Sequence, residues 1–213
     1  MAHIPDGVLS GPVLAVGAAV TLAGCAYALK RLEPERIPQV SILSAVFFVA
    51  SLVHVPVGPS SVHLILNGLT GVALGWAAFP AILVALLLQA VLFGFGGVVV
   101  LGVNVMTMAV PAVLCGLLFE TVRRRWGHHP RIPALAAGVC GALGVLLTAL
   151  AVALSLAFSG AEFRPAATLI VVSHLPVMIV EAVFTAAAIG LVLRVKPGIL
   201  DRSDGLVAAG AVK

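Results

Sequence analysis

The stretch PALAAGVCGALGVLLTALAVALSLAF, residues 133–158, runs without one charged side chain. A bilayer core needs about 20 mostly apolar residues per helix, so this stretch alone predicts a transmembrane span. Working outward, comparable runs occupy roughly 12–30, 38–56, 62–77, 79–97, 103–122 and 167–194. Together they make about seven spans by length and hydropathy. Only Ala78 to Pro80 separates the short third run from the fourth, which predicts a helical hairpin or a partly re-entrant pair. With 62% hydrophobic and 9% charged residues and a mean hydropathy of +1.21, the chain carries more apolar surface than one soluble core hides. The reading is an all-α polytopic membrane protein, a single domain over residues 1–196 followed by a polar tail over 197–213.

Charge sets the expected orientation. Lys30, Arg31 and Arg36, then Arg123, Arg124, Arg125 and Arg131, then Arg194, Lys196, Arg202 and Lys213 fall on one side if the N-terminus is outside. Only Arg164 then lies outside, so the positive-inside rule predicts an N-terminus outside and a C-terminus in the cytoplasm. The basic residues form short clusters between apolar runs, which reads as topology rather than a nucleic-acid surface. No basic leader precedes the first run and no small-residue cleavage site follows it, so a removable signal is not expected. Cys25, Cys115 and Cys140 have no paired spacing and read as buried small hydrophobes. Gly68, Gly71 and Gly75 predict close approach of the third helix to a neighbour.

The opening Met-Ala-His-Ile-Pro-Asp-Gly, residues 1–7, carries the first chemical signal. A terminal amine, a deprotonated backbone amide and the imidazole of a nearby histidine can close fused chelate rings in one plane. Planar nitrogen ligation suits Ni(II) or Cu(II). In the expected orientation His3, His54, His63, Asn104 and His174 all fall at the outer face, and imidazole is the commonest protein metal ligand. His3 reads as a ligand held by the Ile4-Pro5-Asp6-Gly7 turn. The Pro56-Val57-Gly58-Pro59 break before His63 implies irregular backbone near membrane depth, which needs protein or a water-lined cavity around it.

Other polar residues have plainer readings beside this one. His54 fits an orienting or interfacial histidine better than a ligand. Asn104 reads equally as a cap for the fifth helix or as a group that positions a ligand. His174 and Glu181, two turns apart, share a helix face. Glu181 lies deeper than the outer cluster and reads as an intramembrane structural group that ties helices together. Glu120 fits an ion pair with Arg123 and Arg124, and Met106 and Met108 fit packing.

The segments His3-Ile4-Pro5-Asp6-Gly7, Ser61-Val62-His63-Leu64, Leu101-Gly102-Val103-Asn104 with Met108, and Ser173-His174-Leu175-Pro176 with Glu181 resemble the CbiM/NikM family, the substrate-capturing membrane subunits of cobalt and nickel energy-coupling-factor transporters. The resemblance implies an S-component-like bundle with an extracytoplasmic N-terminus folded back into it. It implies an ion held by the terminal amine, the second residue's backbone nitrogen and imidazole, and a histidine matching His63. Ni(II) or Co(II) would be transported substrate, with no tightly held cofactor. It further implies a transmembrane coupling subunit, cytoplasmic ATP-binding subunits and a small accessory membrane subunit as partners; the chain itself has no P-loop and is not expected to be an enzyme.

One departure matters. The family usually begins Met-His, whereas here histidine stands at position 3. Loss of Met1 before the small Ala2 would restore that spacing and make Ala2, His3 and His63 the ligands. A retained Met1 would let Met1-Ala2-His3 supply four nitrogens and make His63 dispensable. His54 stands where the family more often has an amide or other polar residue. Two rival functions remain distinct from this one: an S-component for an organic vitamin, which leaves the terminal histidine unexplained, and a haem-binding intramembrane redox subunit using His54 and His174.

Overall fold

A computed structural model describes residues 3–52, 54–57, 60–129 and 131–201. The elements in order are α1 (Gly11–Lys30), α2 (Ile37–Ala50), a hairpin of β1 (His54–Val57) and β2 (Ser60–His63), α3 (Asn67–Leu74), α4 (Ala78–Phe93), α5 (Leu101–Trp126), α6 (Ile132–Ala157), α7 (Arg164–Ser173) and α8 (Leu175–Val195). Helices α1, α2, α6, α7 and α8 each carry proline in their first turn. Proline costs nothing there because those N–H groups have no intrahelical partner. Helix α4 stops at Gly94, whose φ of 67° is left-handed, with Gly94 N–H donating to Ala90 O and Phe95 N–H to Gln89 O. That double bond closes the helix C-terminus.

Five helical stretches among the described residues are long and apolar enough to cross a membrane: Gly11–Lys30, Asn67–Phe93, Leu101–Trp126, Ile132–Ala157 and Ala161–Val195. Two of the runs expected from sequence look different in the fold. The second is helical only over the 14 residues of α2 and then passes into β1. The third does not begin at 62, because Ser60–His63 is a strand and α3 starts at Asn67. The reason is local: Pro56 and Pro59 lack the N–H a helix needs and restrict the residues before them. The chain turns back there as an antiparallel hairpin instead.

Contacts fix the relative directions. Ser44 Oγ donates to Ala81 O and Gln89 Nε2 to Ser51 Oγ, so α2 and α4 run the same way. A side chain at Gly71 would strike Ala112, and Asn67 reaches Met108 O, so α3 runs with α5. Asn67 also reaches Gly144 and Thr148, while Cys115 and Cys140 exchange S–H···O bonds with each other's carbonyls; α6 is therefore antiparallel to α5.

All eight residues of α3 are buried. A Cβ at Gly68 would lie 2.5 Å from Cys140 O, which explains the small residues facing α5 and α6. Gly75 plays another part: its φ of 60° turns the chain from α3 toward α4. The outward surface is the reverse of a soluble protein's, with Leu22, Val91, Phe158, Ile179 and Val195 all exposed. Apolar surface this extensive is tolerated only where lipid covers it. Past α8 the chain packs back: Leu200 is buried, Gln39 Nε2 donates to Ile199 O, and Arg123 pairs with Asp201 at 2.7 Å.

Candidate functional site

The site lies at the end of the bundle where the first residues meet the start of α5. Ile4 N–H donates to Asn104 Oδ1 at 3.1 Å, and Asn104 Nδ2 donates back to Ile4 O at 3.0 Å. One buried carboxamide thus bonds both backbone groups of a single residue, as a neighbouring strand would. Asp6 Oδ1 accepts from Val100 N–H at 2.9 Å, just ahead of α5. Asp6 therefore serves the start of that helix, and Asn104, which reads from sequence equally as a cap or as a positioning group, bonds the strap. A carboxylate at a helix start is also favoured by the helix dipole.

These bonds bring His3 down into the bundle, where it is buried and its ring lies nearly parallel to Phe95, centroids 6.4 Å and planes 12° apart. Phe95 stacks in turn on Phe93, and Phe93 meets Phe48. Gly96 makes the approach possible: its φ is 75°, and a Cβ there would stand 2.8 Å from Asn104 Nδ2. The Gly94-Phe95-Gly96-Gly97 sequence between α4 and α5 is the signal for this floor, whereas in sequence it falls inside the expected fourth span and Asp6 reads only as part of a turn.

His54 and His63 are brought together by backbone. They are Cα partners at the open end of the hairpin, so both are placed on one face of it. His174 is buried at the junction of α7 and α8, with Nδ1 2.7 Å from Ile170 O. A bond to a carbonyl requires hydrogen on Nδ1, which leaves Nε2 as the nitrogen with a lone pair. Glu181, fully buried in α8, accepts at Oε1 from Ile65 N–H at 2.6 Å and Leu66 N–H at 2.8 Å. Ala2 lies outside the described residues. Among those described, no three His, Cys, Asp or Glu side chains form a metal-holding group.

The fold and this end of it define a multi-pass membrane protein whose N-terminal strap, carrying His3, is bonded into one end of the bundle. The family described as the cobalt uptake substrate-specific transmembrane region, CbiM, matches residues 3–199, and the chain belongs to that family. These are transport proteins, not enzymes. A putative metal transport protein of Haemophilus influenzae is 43% identical over 204 residues, covering 95% of this chain and 98% of its own. The cobalt transport protein CbiM of Sorangium cellulosum is 32% identical, covering 94% and 95%. A fused nickel transport protein NikMN of Rhodobacter capsulatus is 33% identical over 78% of this chain and 50% of its own. A crystal structure of a truncated transition metal transporter superposes with a TM-score of 0.72 at 29% identity, covering 90% of this chain and 98% of that one.

Proposed function

We propose that the chain captures Ni(II) or Co(II) at the outer face, as the substrate-binding S-component of an energy-coupling-factor transporter. The ligands are the amine of Ala2 after loss of Met1, the backbone nitrogen and imidazole of His3, and His63. His54, Asn104 and His174 orient them. The observation that carries this reading is the double bond between Asn104 and Ile4 with the Asp6 bond beside it. A solvated terminal histidine would need no such anchorage; a chelating terminus must be held still. Since two of the nitrogens come from the terminus and the backbone, the site does not depend on three converging side chains.

The parallel pairs α2–α4 and α3–α5 and the antiparallel pair α5–α6 support a back-and-forth path, which we read as seven passes with the short α2 and α3 counted among them. The positive-inside distribution supports an N-terminus outside and a cytoplasmic C-terminus. On this reading residues 1–196 form the capture domain, and a transmembrane coupling subunit with ATP-binding subunits, joined by a small accessory membrane subunit, supplies the energy for release inward. Planar nitrogen favours Ni(II), and low-spin Co(II) accepts similar ligands. A broad cleft between α1, α5 and α6, lined by Val13, Val16, Met106, Val110 and Leu154, offers an organic vitamin little polar recognition.

The test is intact-mass determination of the mature N-terminus combined with Ni(II) and Co(II) titration of wild type and His63→Ala. An Ala2 start with binding sharply weakened, though still measurable, in His63→Ala is expected. A retained Met1 with unchanged binding in His63→Ala would mean that the terminal tripeptide holds the ion alone.

A further inference from the structure

The hairpin bearing His54 and His63 is clamped at its base from two sides by buried polar side chains of different helices. Before it, Gln89 of α4 donates to Ser51 Oγ at 2.6 Å, three residues ahead of His54. After it, Glu181 of α8 accepts both Ile65 N–H and Leu66 N–H, two and three residues beyond His63. Leu66 itself holds a left-handed φ of 52°. That conformation is costly for a leucine and persists only where surroundings impose it.

The Glu181 clamp is unusually one-sided. Its side chain is fully buried, none of the salt bridges among the described residues includes it, and its other oxygen, Oε2, has no hydrogen-bond partner among them. Burying a carboxylate is strongly unfavourable unless it is paired or hydrogen-bonded, and here the two loop amides supply that compensation. The dependence is mutual. If the loop lifts, Glu181 loses its partners; if Glu181 is removed, Ile65 and Leu66 lose the acceptor that fixes their backbone, and His63 loses its register.

Resting on the nickel and cobalt reading of His63, we propose that Glu181 is a positioning residue for metal capture, acting through the Ile65–Leu66 backbone to fix His63 for ligation. It makes no contact with the ion. It also links α8, whose last turn carries the basic Arg194, to the loop that carries a ligand, so displacement of α8 loosens the site.

The experiment measures Ni(II) affinity and dissociation rate, with the ligand-field absorption band, for wild type, Glu181→Ala, Glu181→Gln, His63→Ala and the Glu181→Ala/His63→Ala double variant. Thermal midpoints are recorded without metal. Removing a group that orients a ligand costs roughly 10- to 100-fold in affinity, which is the loss expected for Glu181→Ala, appearing in the dissociation rate with a shifted band. Glu181→Gln keeps a carbonyl acceptor and is expected to recover most of the affinity. In the His63→Ala background the Glu181→Ala change is expected to add little, because its effect passes through the missing imidazole. Equal losses in both backgrounds, or wild-type affinity in Glu181→Ala, would overturn the proposal while leaving His63 as a ligand. Undiminished binding in His63→Ala would overturn the ligand assignment and the proposal together. Should Glu181→Ala not yield folded protein, Glu181→Asp, whose carboxylate is drawn back by one methylene, carries the same expected loss.

Discussion

Asn104→Ala isolates the strap from the ligands themselves. The substitution removes an acceptor 3.1 Å from Ile4 N–H and a donor 3.0 Å from Ile4 O, in a side chain only 2% exposed. If the strap stays docked, two buried backbone groups lose their partners. At about 1 to 2 kcal/mol each, the docked state is destabilised by about 2 to 4 kcal/mol. The strap can avoid this by leaving the bundle, but it then carries His3 away from the site, so the same free energy is charged to metal binding. With about 1.4 kcal/mol per tenfold, Kd should rise roughly 30- to 700-fold. The assay is Ni(II) titration of purified protein by calorimetry, with His3→Ala as the reference for full loss of the site. Asn104→Asp keeps the acceptor for Ile4 N–H but replaces the donor by a charged oxygen facing Ile4 O, and should bind no better than Asn104→Ala. Affinity within about threefold of wild type in Asn104→Ala, beside abolished binding in His3→Ala, would show that the ion holds the strap rather than the strap holding the ion.

The other expectations concern the same end of the bundle. Asp6→Ala removes the acceptor for Val100 N–H, and the loss of a helix-start acceptor costs about 1 kcal/mol, read as a lower thermal midpoint and a weaker Ni(II) affinity. Gly96→Ala meets both a left-handed backbone and the Asn104 side chain; a cost of about 1 to 2 kcal/mol should appear as roughly 5- to 30-fold weaker binding, and wild-type affinity would contradict the close packing described. Ligating imidazoles must be neutral, so protons compete with the ion as pH falls through roughly 6.5. With a terminal amine also in the proposed ligand set, binding should weaken progressively as pH falls from about 8 through the imidazole range, and a flat profile from pH 8 to 5.5 would argue against amine and histidine ligation.

Much of the fold was legible because lipid removes the need for periodicity. A run such as 133–158 is apolar on every face, and only a span uses such a run. The hairpin was not legible, since each strand has only four residues and the signal at Pro56 and Pro59 marks a break without saying what replaces the helix. From sequence the histidines could be assigned to one end as an expectation, from span count and charge together. Their supports could not, because the groups they bond are backbone. Asn104 reads as a polar residue near a helix start, and only the fold reveals that its partner is Ile4, 100 residues away. Glu181 is the same case, its acceptor oxygen meeting two amides whose identity no side-chain pattern encodes.

The distribution of polar bonds also separates what must stay from what can move. Asn67 ties α3 to α5 and α6 through Met108, Gly144 and Thr148, and Thr148 continues to Thr107 O. Close backbone contacts at Gly68 and Gly71 surround those bonds, so separating these helices would expose several buried polar groups at once. The strap and hairpin are fixed differently. Asn104, Asp6, Gln89 and Glu181 hold them through one or two bonds each. On the proposed reading, an ion bound by both strap and hairpin joins them over this tightly bonded scaffold and is freed when either leaves. On that logic, release is cheapest where α8 reaches the hairpin. Locking α3 to α5 should leave transport intact, while locking α8 to the hairpin base should retain the ion.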